Sequence, residues 1–279
     1  MRARRSTRCV PTGSPKSGSS GRRARSSTIT QSCWIRRRSP SSKVVEDGST
    51  PGPVAVLVLA AGRGERLGHA LPKAFVPLAG VALVERSIRA LAAAGVFDVI
   101  QPVVATRDLE RWAQLRLDGT PGLQAPVPGG AERQDSMREG LAALPADVAF
   151  VAVHDAARCL VAAQDLRAVV QAARESGAAL LGERSRDTLK RVRDGRVVET
   201  PPRDEMWAAQ TPQVIRRDWI ERAMSKAVGT GRLGTDDVQL VEWAGHPVAM
   251  VEASAPNPKI TRPEDLRMAE AMLAEEEAG

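Results

Sequence analysis

Residues 54–61 read VAVLVLAA, and Gly62-Arg63-Gly64 stands directly behind them. A short, unbroken apolar run of this kind suits a strand buried on both faces. Its end in a glycine loop lets backbone amides approach an anion closely. Arg66 and Lys73 follow on the same loop and supply two flanking cations, and Pro72 fixes the backbone next to Lys73. The stretch VAVLVLAAGRGERLGHALPK therefore reads as a buried strand that delivers its end to a nucleotide triphosphate, with Gly62 and Gly64 in the cradle.

Two common cradles are excluded by what is missing. A dinucleotide fingerprint needs a third Gly or Ala where Leu67 stands, and its acidic partner belongs at a strand end, whereas Glu85 falls inside a helical pattern. A P-loop needs Gly-Lys-Ser/Thr, which does not follow.

From Val54 onward, strand and helix patterns alternate. Strands are expected over 54–60, 98–105, 147–153, 178–182 and 247–252. Helices are expected over 83–94, 107–116, 132–144, 164–175, 216–227, 235–243 and 263–276. Leu83, Val84, Ile88 and Leu91 lie at helical spacing and stop at Gly95, while Pro263-Glu264-Asp265 opens the last helix. The fold class is α/β, a three-layer, Rossmann-like, mostly parallel sheet covered on both faces. Ligands of such sheets bind beyond the carboxyl ends of the strands. Residues 183–205 break the alternation with β-prone, charged pieces around Asp194-Gly195, a projecting hairpin arm. An isolated hairpin is marginal in water, so the arm calls for a partner, most simply a second subunit.

Charge divides the chain. Residues 1–50 carry 12 Lys and Arg against Glu46 and Asp47, whereas the remainder carries 28 basic against 31 acidic residues. The domain over 53–279 is thus mildly acidic and has no Tyr, which disfavours a nucleic-acid partner. Residues 1–52, rich in Arg, Ser, Gly and Pro, are expected to be a disordered basic extension. An organelle transit peptide, an arm that touches RNA or membrane, and an upstream extension without function all fit that composition. No apolar run approaches the ~20 residues of a membrane span. Cys9, Cys33 and Cys159 show no CxxC spacing, so a reducing compartment fits: the cytoplasm, or a plastid if residues 1–52 are a transit peptide.

Three further motifs carry chemistry. In Val151-Ala152-Val153-His154-Asp155-Ala156-Ala157-Arg158, Asp155 emerges at the end of a buried strand, where an acid opposite a triphosphate is a natural Mg²⁺ ligand. Arg158 could hold a second anion, and His154 reads as a hydrogen-bonded packing residue. In Gly129-Gly130-Ala131-Glu132-Arg133-Gln134-Asp135-Ser136, Gly130 permits close approach to a base or ribose and Ser136 can donate or accept. In Asn257-Pro258-Lys259-Ile260-Thr261, Lys259 sits beside a proline in a loop, as Lys73 does. Lysine is scarce here, six against 34 arginines, and a compact ammonium suits a point contact to phosphate.

Together AAGRGERLG, PK, GGAERQDS, VHDAAR, RDTLKR, AQTPQ, TDD and NPKITRPEDL closely resemble the 2-C-methyl-D-erythritol 4-phosphate cytidylyltransferases of the non-mevalonate isoprenoid route, in the family's order from about Val54 to Leu273. The resemblance implies an enzyme that joins CTP to 2-C-methyl-D-erythritol 4-phosphate with release of pyrophosphate, as a homodimer with Mg²⁺. It implies that Arg66, Lys73 and Lys259 stabilise the transition state and that Asp155 serves the metal and the reaction centre. Ala60, Ala61, Gly130 and Ser136 would surround the cytidine, and Arg158 and Thr235 would face the sugar phosphate. Arg186 and Thr188 would bind substrate from the arm, Arg186 reaching that of the partner subunit. Ala74, Cys159 and Glu183-Arg184-Ser185 depart from the family's pattern. The rival readings are a nucleotidyltransferase acting on ribitol phosphate or another sugar phosphate, a non-catalytic nucleotide-binding regulator, and an RNA-associated protein acting through residues 1–52.

Overall fold

The computed structural model describes residues 52–62 and 64–278, so the expectation for the basic extension falls outside the described residues, Gly52 apart. In chain order, β1 (Val54–Ala60) leads through the glycine loop to a ribbon of β2 (Pro77–Leu78) and β3 (Val81–Ala82), then to α1 (Leu83–Ala93). Next come β4 (Val99–Val104), α2 (Leu109–Trp112), β5 (Val127–Pro128), α3 (Arg133–Ala142), β6 (Phe150–Asp155) and α4 (Ala163–Ser176). The chain continues with β7 (Ala178–Arg184), a hairpin of β8 (Arg191–Arg193) and β9 (Arg196–Glu199), and β10 (Trp207–Arg216). It ends with α5 (Arg217–Gly229), α6 (Asp237–Trp243), β11 (Ala249–Glu252) and α7 (Pro263–Ala278).

Seven strands make one sheet in the order β11-β7-β10-β6-β1-β4-β5, and only the two pairings of β10 are antiparallel. This is the expected mostly parallel α/β sheet. The continuous apolar run of β1 has a direct cause. Val54, Val56 and Val58 enter a core with Ile88 and Leu91 of α1 and Leu166 and Val169 of α4. Ala55 and Leu57, on the other face, enter a second core with Met137 of α3, Ile220 of α5 and Val241 of α6. Both faces of a central strand must therefore be apolar. Gly95 ends the turn after α1 with φ 67°, a conformation that glycine adopts without penalty.

Two elements differ from the sequence reading. No strand was expected over Trp207–Arg216; Pro212 lies in its middle, and proline cannot donate to a ladder. The structure places β10 centrally between β7 and β6, and the register shifts between Ala209 and Gln213, so the proline falls where the ladder is already interrupted. The helix expected over 107–116 shortens to a 3-10 turn at Thr106–Asp108 and the four residues of α2. Beyond it, i→i+3 bonds from Gln114 to Arg111 and from Leu115 to Trp112 tighten the chain into turns.

The expected arm is present. β8 and β9 pair antiparallel around Asp194 (φ 49°) and Gly195 (φ 72°), the geometry of a type I′ hairpin turn. Every residue from Arg186 to Thr200 is exposed, among them Leu189, Val192, Val197 and Val198.

Candidate active site

Parallel neighbours end together. β1 and β6 run in register, Leu59 opposite Asp155, and β4 lies on the other side of β1, Ala60 opposite Val104. The loops that follow β1, β5 and β6 therefore meet at one edge of the sheet. They enclose a pocket lined by Ala60, Ala61, Gly62, Lys73, Gly130, Arg133, Ser136, Asp155 and Lys259, with Leu59, Ala74, Ala131, Glu132, Ala156 and Ala157 between them. Eight residues singled out from the sequence thus converge, although they span 60–259.

The loops hold these side chains by close approach and by local hydrogen bonds. Gly64 has φ 68°, and a Cβ there would stand 2.2 Å from the Cβ of Lys73. This glycine lets the loop lie against Lys73 and fixes where its ammonium starts. A Cβ on Gly130 would meet the Cβ of Asp135 at 2.3 Å, so the second glycine lets the chain fold tightly over the start of α3. There Glu132 and Asp135 form a reciprocal capping box, and Ser136 Oγ donates to the Glu132 carbonyl at 3.2 Å.

Asp155 is the electrostatic centre. Its Oδ2 lies 2.6 Å from Lys259 Nζ and its Oδ1 lies 3.3 Å from Arg133 Nη2. Its backbone N–H donates to Thr211 Oγ1 at 3.0 Å. Burial alone would raise this carboxyl, but Arg133 and then Lys259 overrule it and hold Asp155 well below the usual carboxylate range. Lys73 is shifted the other way: burial lowers it first and the charge of Lys259 second, with Asp155 opposing and Arg66 and Arg158 adding to the depression. Five cations, Arg66, Lys73, Arg133, Arg158 and Lys259, thus share one field, with Asp155 and the Arg133 partner Asp237 as the buried carboxylates that oppose them among the described residues. The excess of positive charge matches a polyphosphate and a second phosphate ester brought to the same place.

The flanking residues take different stations. Arg158 donates from Nη1 to the Asn257 carbonyl at 2.6 Å and from Nη2 to the Ala209 carbonyl at 3.4 Å. Asn257 is buried and donates from Nδ2 to Gln210 Oε1 at 3.1 Å and to the Thr211 carbonyl at 3.0 Å, which anchors the loop carrying Lys259. His154 is fully buried, Nε2 3.1 Å from the Arg158 carbonyl and Nδ1 3.3 Å from Thr211 Oγ1, and burial pushes it down to about 4. It is the hydrogen-bonded packing residue expected. Cys159 is likewise buried, its thiol pushed up to about 11 by burial, in the cluster beneath Ile260. Thr235 is exposed just before α6 and outside the pocket lining, its N–H donating to Gln239 Oε1 at 2.9 Å. Arg186 and Thr188 stand on the exposed arm, where Arg186 pairs with Glu183 at 2.7 Å. The pocket of a single chain does not include them.

Sequence reasoning passed over Arg133. It lines the pocket and forks between Asp155 and Asp237, burial working against its charge while Asp237 and Asp155 hold it above the ordinary arginine value. The signal lay in its place at the first turn of α3, behind the glycine pair, but its carboxylate partners lie 22 and 104 residues away.

Comparison with known proteins agrees with this geometry. A family model described as 2-C-methyl-D-erythritol 4-phosphate cytidylyltransferase matches residues 54–275. The enzyme of that name from Symbiobacterium thermophilum is 42% identical over 233 residues, covering 83% of this chain and 98% of the relative. That of Pelotomaculum thermopropionicum is 44% identical over 224 residues, 79% of this chain and 94% of the relative. Among solved structures, the Thermus thermophilus cytidylyltransferase superposes with a TM-score of 0.65 at 32% identity, covering 80% of this chain and 99% of its own. The 4-diphosphocytidyl-2C-methyl-D-erythritol synthase of Anaerococcus prevotii superposes with a TM-score of 0.73 at 26% identity, over 81% and 100%.

Proposed function

The chain belongs to the 2-C-methyl-D-erythritol 4-phosphate cytidylyltransferase family, the nucleotidyltransferases of isoprenoid precursor synthesis, and we propose that the pocket around Asp155 is where it transfers CMP from CTP to that alcohol phosphate. The observation that carries the site assignment is the convergence of Lys73, Arg133 and Lys259 on one buried carboxylate at the carboxyl ends of β1 and β6.

The reaction joins two anions. A phosphate oxygen of methylerythritol phosphate attacks the α-phosphorus of CTP, the bond from that phosphorus to the bridging oxygen breaks, and pyrophosphate leaves with the electron pair. The nucleophile is already anionic at neutral pH, so no general base is needed. The barrier is the approach of like charges and the charge spread over the phosphoryl oxygens, which positioned cations lower. Arg66, Lys73 and Lys259 are the catalytic cations in this reading. Ala60, Ala61, Gly62, Gly64, Gly130 and Ser136 seat the nucleotide. Asp155 and Arg158, with Thr235, seat the alcohol phosphate. His154, fully buried and pushed down to about 4 by that burial, fits a site with no proton relay.

Mg²⁺ suits this donor set. Among the described residues no group of three or more His, Cys, Asp or Glu could hold a metal by itself. Mg²⁺ characteristically takes one or two carboxylates and completes its shell with substrate phosphates and waters, and Asp155 is the buried carboxylate at the pocket. Asp155 would be its protein ligand, and the ion would neutralise charge on the phosphates. A homodimer in the cytoplasm completes the proposal: the arm, with its exposed Leu189, Val192, Val197 and Val198, docks on the second subunit and carries Arg186 and Thr188 to that subunit's alcohol phosphate. Among the described residues no helix is long and apolar enough to cross a membrane.

Phosphorus NMR of purified protein mixed with CTP and methylerythritol phosphate tests the reaction. Pyrophosphate and a new diphosphodiester should grow together at equal rates. Pyrophosphate released at the same rate without the alcohol phosphate would overturn the reading.

A further inference from the structure

One buried carboxylate near the pocket has no role in the reaction as described. Asp237, the first residue of α6, is 2% exposed, and its Oδ2 has no hydrogen-bond partner among the described residues. Its Oδ1 is ion-paired to Arg133 Nη1. The same guanidinium reaches Asp155 Oδ1 through Nη2 at 3.3 Å, and Asp155 Oδ2 holds Lys259 at 2.6 Å. Asp237, Arg133, Asp155 and Lys259 are therefore one continuous chain of alternating charge that runs from the interior of the protein to the pocket.

Helix stapling alone does not account for this arrangement. The N-cap of α6 is Asp236, which already accepts from Gln239 N–H at 3.1 Å. The backbone N–H groups of Asp237 and Val238 are both satisfied by Gln213 Oε1, at 3.0 and 2.9 Å. Gln213 in turn donates to Asp236 Oδ2 at 3.0 Å. The start of α6 is thus secured without the Asp237 side chain. Burying a carboxylate costs free energy that a single ion pair barely offsets. What the side chain does achieve is directional: a planar guanidinium gripped at one end has its other end aimed.

We propose that Asp237 is a positioning residue for cytidylyl transfer, holding the Arg133 fork so that Asp155, and through it the Lys259 ammonium, stays fixed at the reacting phosphates. The proposal rests on the cytidylyltransferase reading above. Losing Asp237 frees Arg133 to swing, and Asp155 then keeps only Lys259 on its other oxygen. Substrates still bind, because Lys73, Arg66 and Arg158 are untouched, but the reacting groups are held less tightly. A misplacement of about 1 Å at such a centre can cost ~10²-fold in rate.

The test is a double-mutant cycle on kcat and on KM for CTP, with Asp237→Asn, Arg133→Gln and the double variant, alongside thermal melts. Asp237→Asn should lower kcat ~10-fold or more while KM for CTP changes less than about threefold, and the double variant should be no slower than Arg133→Gln, because residues acting through one another are not additive. Asp237→Glu should recover part of the lost kcat. Wild-type kcat in Asp237→Asn, or losses that multiply in the double variant, would overturn the proposal. Should Asp237→Asn fail to fold, Arg133→Lys decides: an ammonium on a flexible stem lacks the rigid planar fork that aims one carboxylate from the other, so kcat must fall, and an unchanged kcat overturns it. A wild-type protein that releases no pyrophosphate from CTP and methylerythritol phosphate would instead overturn the underlying assignment of activity.

Discussion

Asp155 shows how residue-scale electrostatics set the site. A carboxylate this buried would ordinarily tend to neutralise, yet Arg133 and Lys259 keep it charged, and it in turn keeps them at the pocket. Removing Lys259 or Arg66 as alanine should lower turnover at least ~10²-fold, the usual scale for one charge contact made in a transition state. Coupled pyrophosphate assays check this, and full activity in either variant would mean that the cations are misassigned. Lys73 makes a pH prediction. Its free ammonium is weakened by burial and by Lys259, and a bound triphosphate strengthens it again, so CTP binding on the alkaline side takes up a proton and loses affinity as pH rises. Calorimetry in buffers of different ionisation enthalpy reads that uptake, which should vanish in Lys73→Met. His154 makes another. Its folded value of about 4 lies below the ordinary unfolded value of about 6.5, so its neutral form favours the fold. That contribution, about 3 kcal/mol, is complete above about pH 6.5 and is lost as pH falls toward 4. Denaturant titrations of His154→Gln should show a flatter acid limb than wild type. At this scale Lys73 and Lys259 were legible because a proline stands beside each, and Asp155 because it closes an apolar run. Arg133 stayed hidden because its place behind the glycine pair is a weak signal for one arginine among 34 until Asp237, 104 residues on, is folded against it.

At the scale of elements, legibility followed hydrophobic period. β1 and β4 were read within a residue of their ends, because both faces of each are packed, although Gln101 and Pro102 interrupt the apolar run of β4. β6 was expected to stop at Val153, and its true end at Asp155 is what sets that side chain on the strand rather than beyond it. β10 was illegible because its proline and two glutamines argue against a central strand. Its polar residues face the site: Thr211 accepts from the Asp155 backbone N–H, and Gln213 accepts from the N–H groups at the start of α6. Two element-scale predictions follow from packing. α3 approaches β4 and β1 so closely at Gly140 that a Cβ would stand 2.9 Å from Val103 Cγ2 and 3.1 Å from Leu57 Cδ1. Gly140→Val should push α3 outward, lowering the melting temperature and raising KM for CTP, since Arg133 and Ser136 ride on that helix. On the arm, Val192→Glu with Val197→Glu should leave the melting of the main sheet unchanged but abolish the proposed homodimer, read in light scattering as a halved mass relative to wild type. A dimer that survives both changes would place the interface elsewhere.

For the whole molecule, the alternation of periods was enough to specify a mostly parallel sheet with helices on both faces, because only that architecture buries a strand such as Val54–Ala60 on both sides. The order of the strands was not legible, since it is decided by which helix covers which face. The family match begins at Val54 and the Symbiobacterium relative is covered over 98% of its length. A protein that starts at Gly52 should therefore retain kcat and KM within about twofold, measured against the full chain, and a large loss would give residues 1–51 a part in catalysis. The central claim is that the cationic pocket around Asp155 transfers CMP to methylerythritol phosphate. Its most direct measurement is kcat/KM for pyrophosphate release from CTP with 2-C-methyl-D-erythritol 4-phosphate against ribitol 5-phosphate, on wild type and Lys259→Ala side by side. The account predicts at least ~10²-fold preference for methylerythritol phosphate and its collapse in the variant; equal rates with ribitol phosphate, or an undiminished Lys259→Ala enzyme, would contradict it.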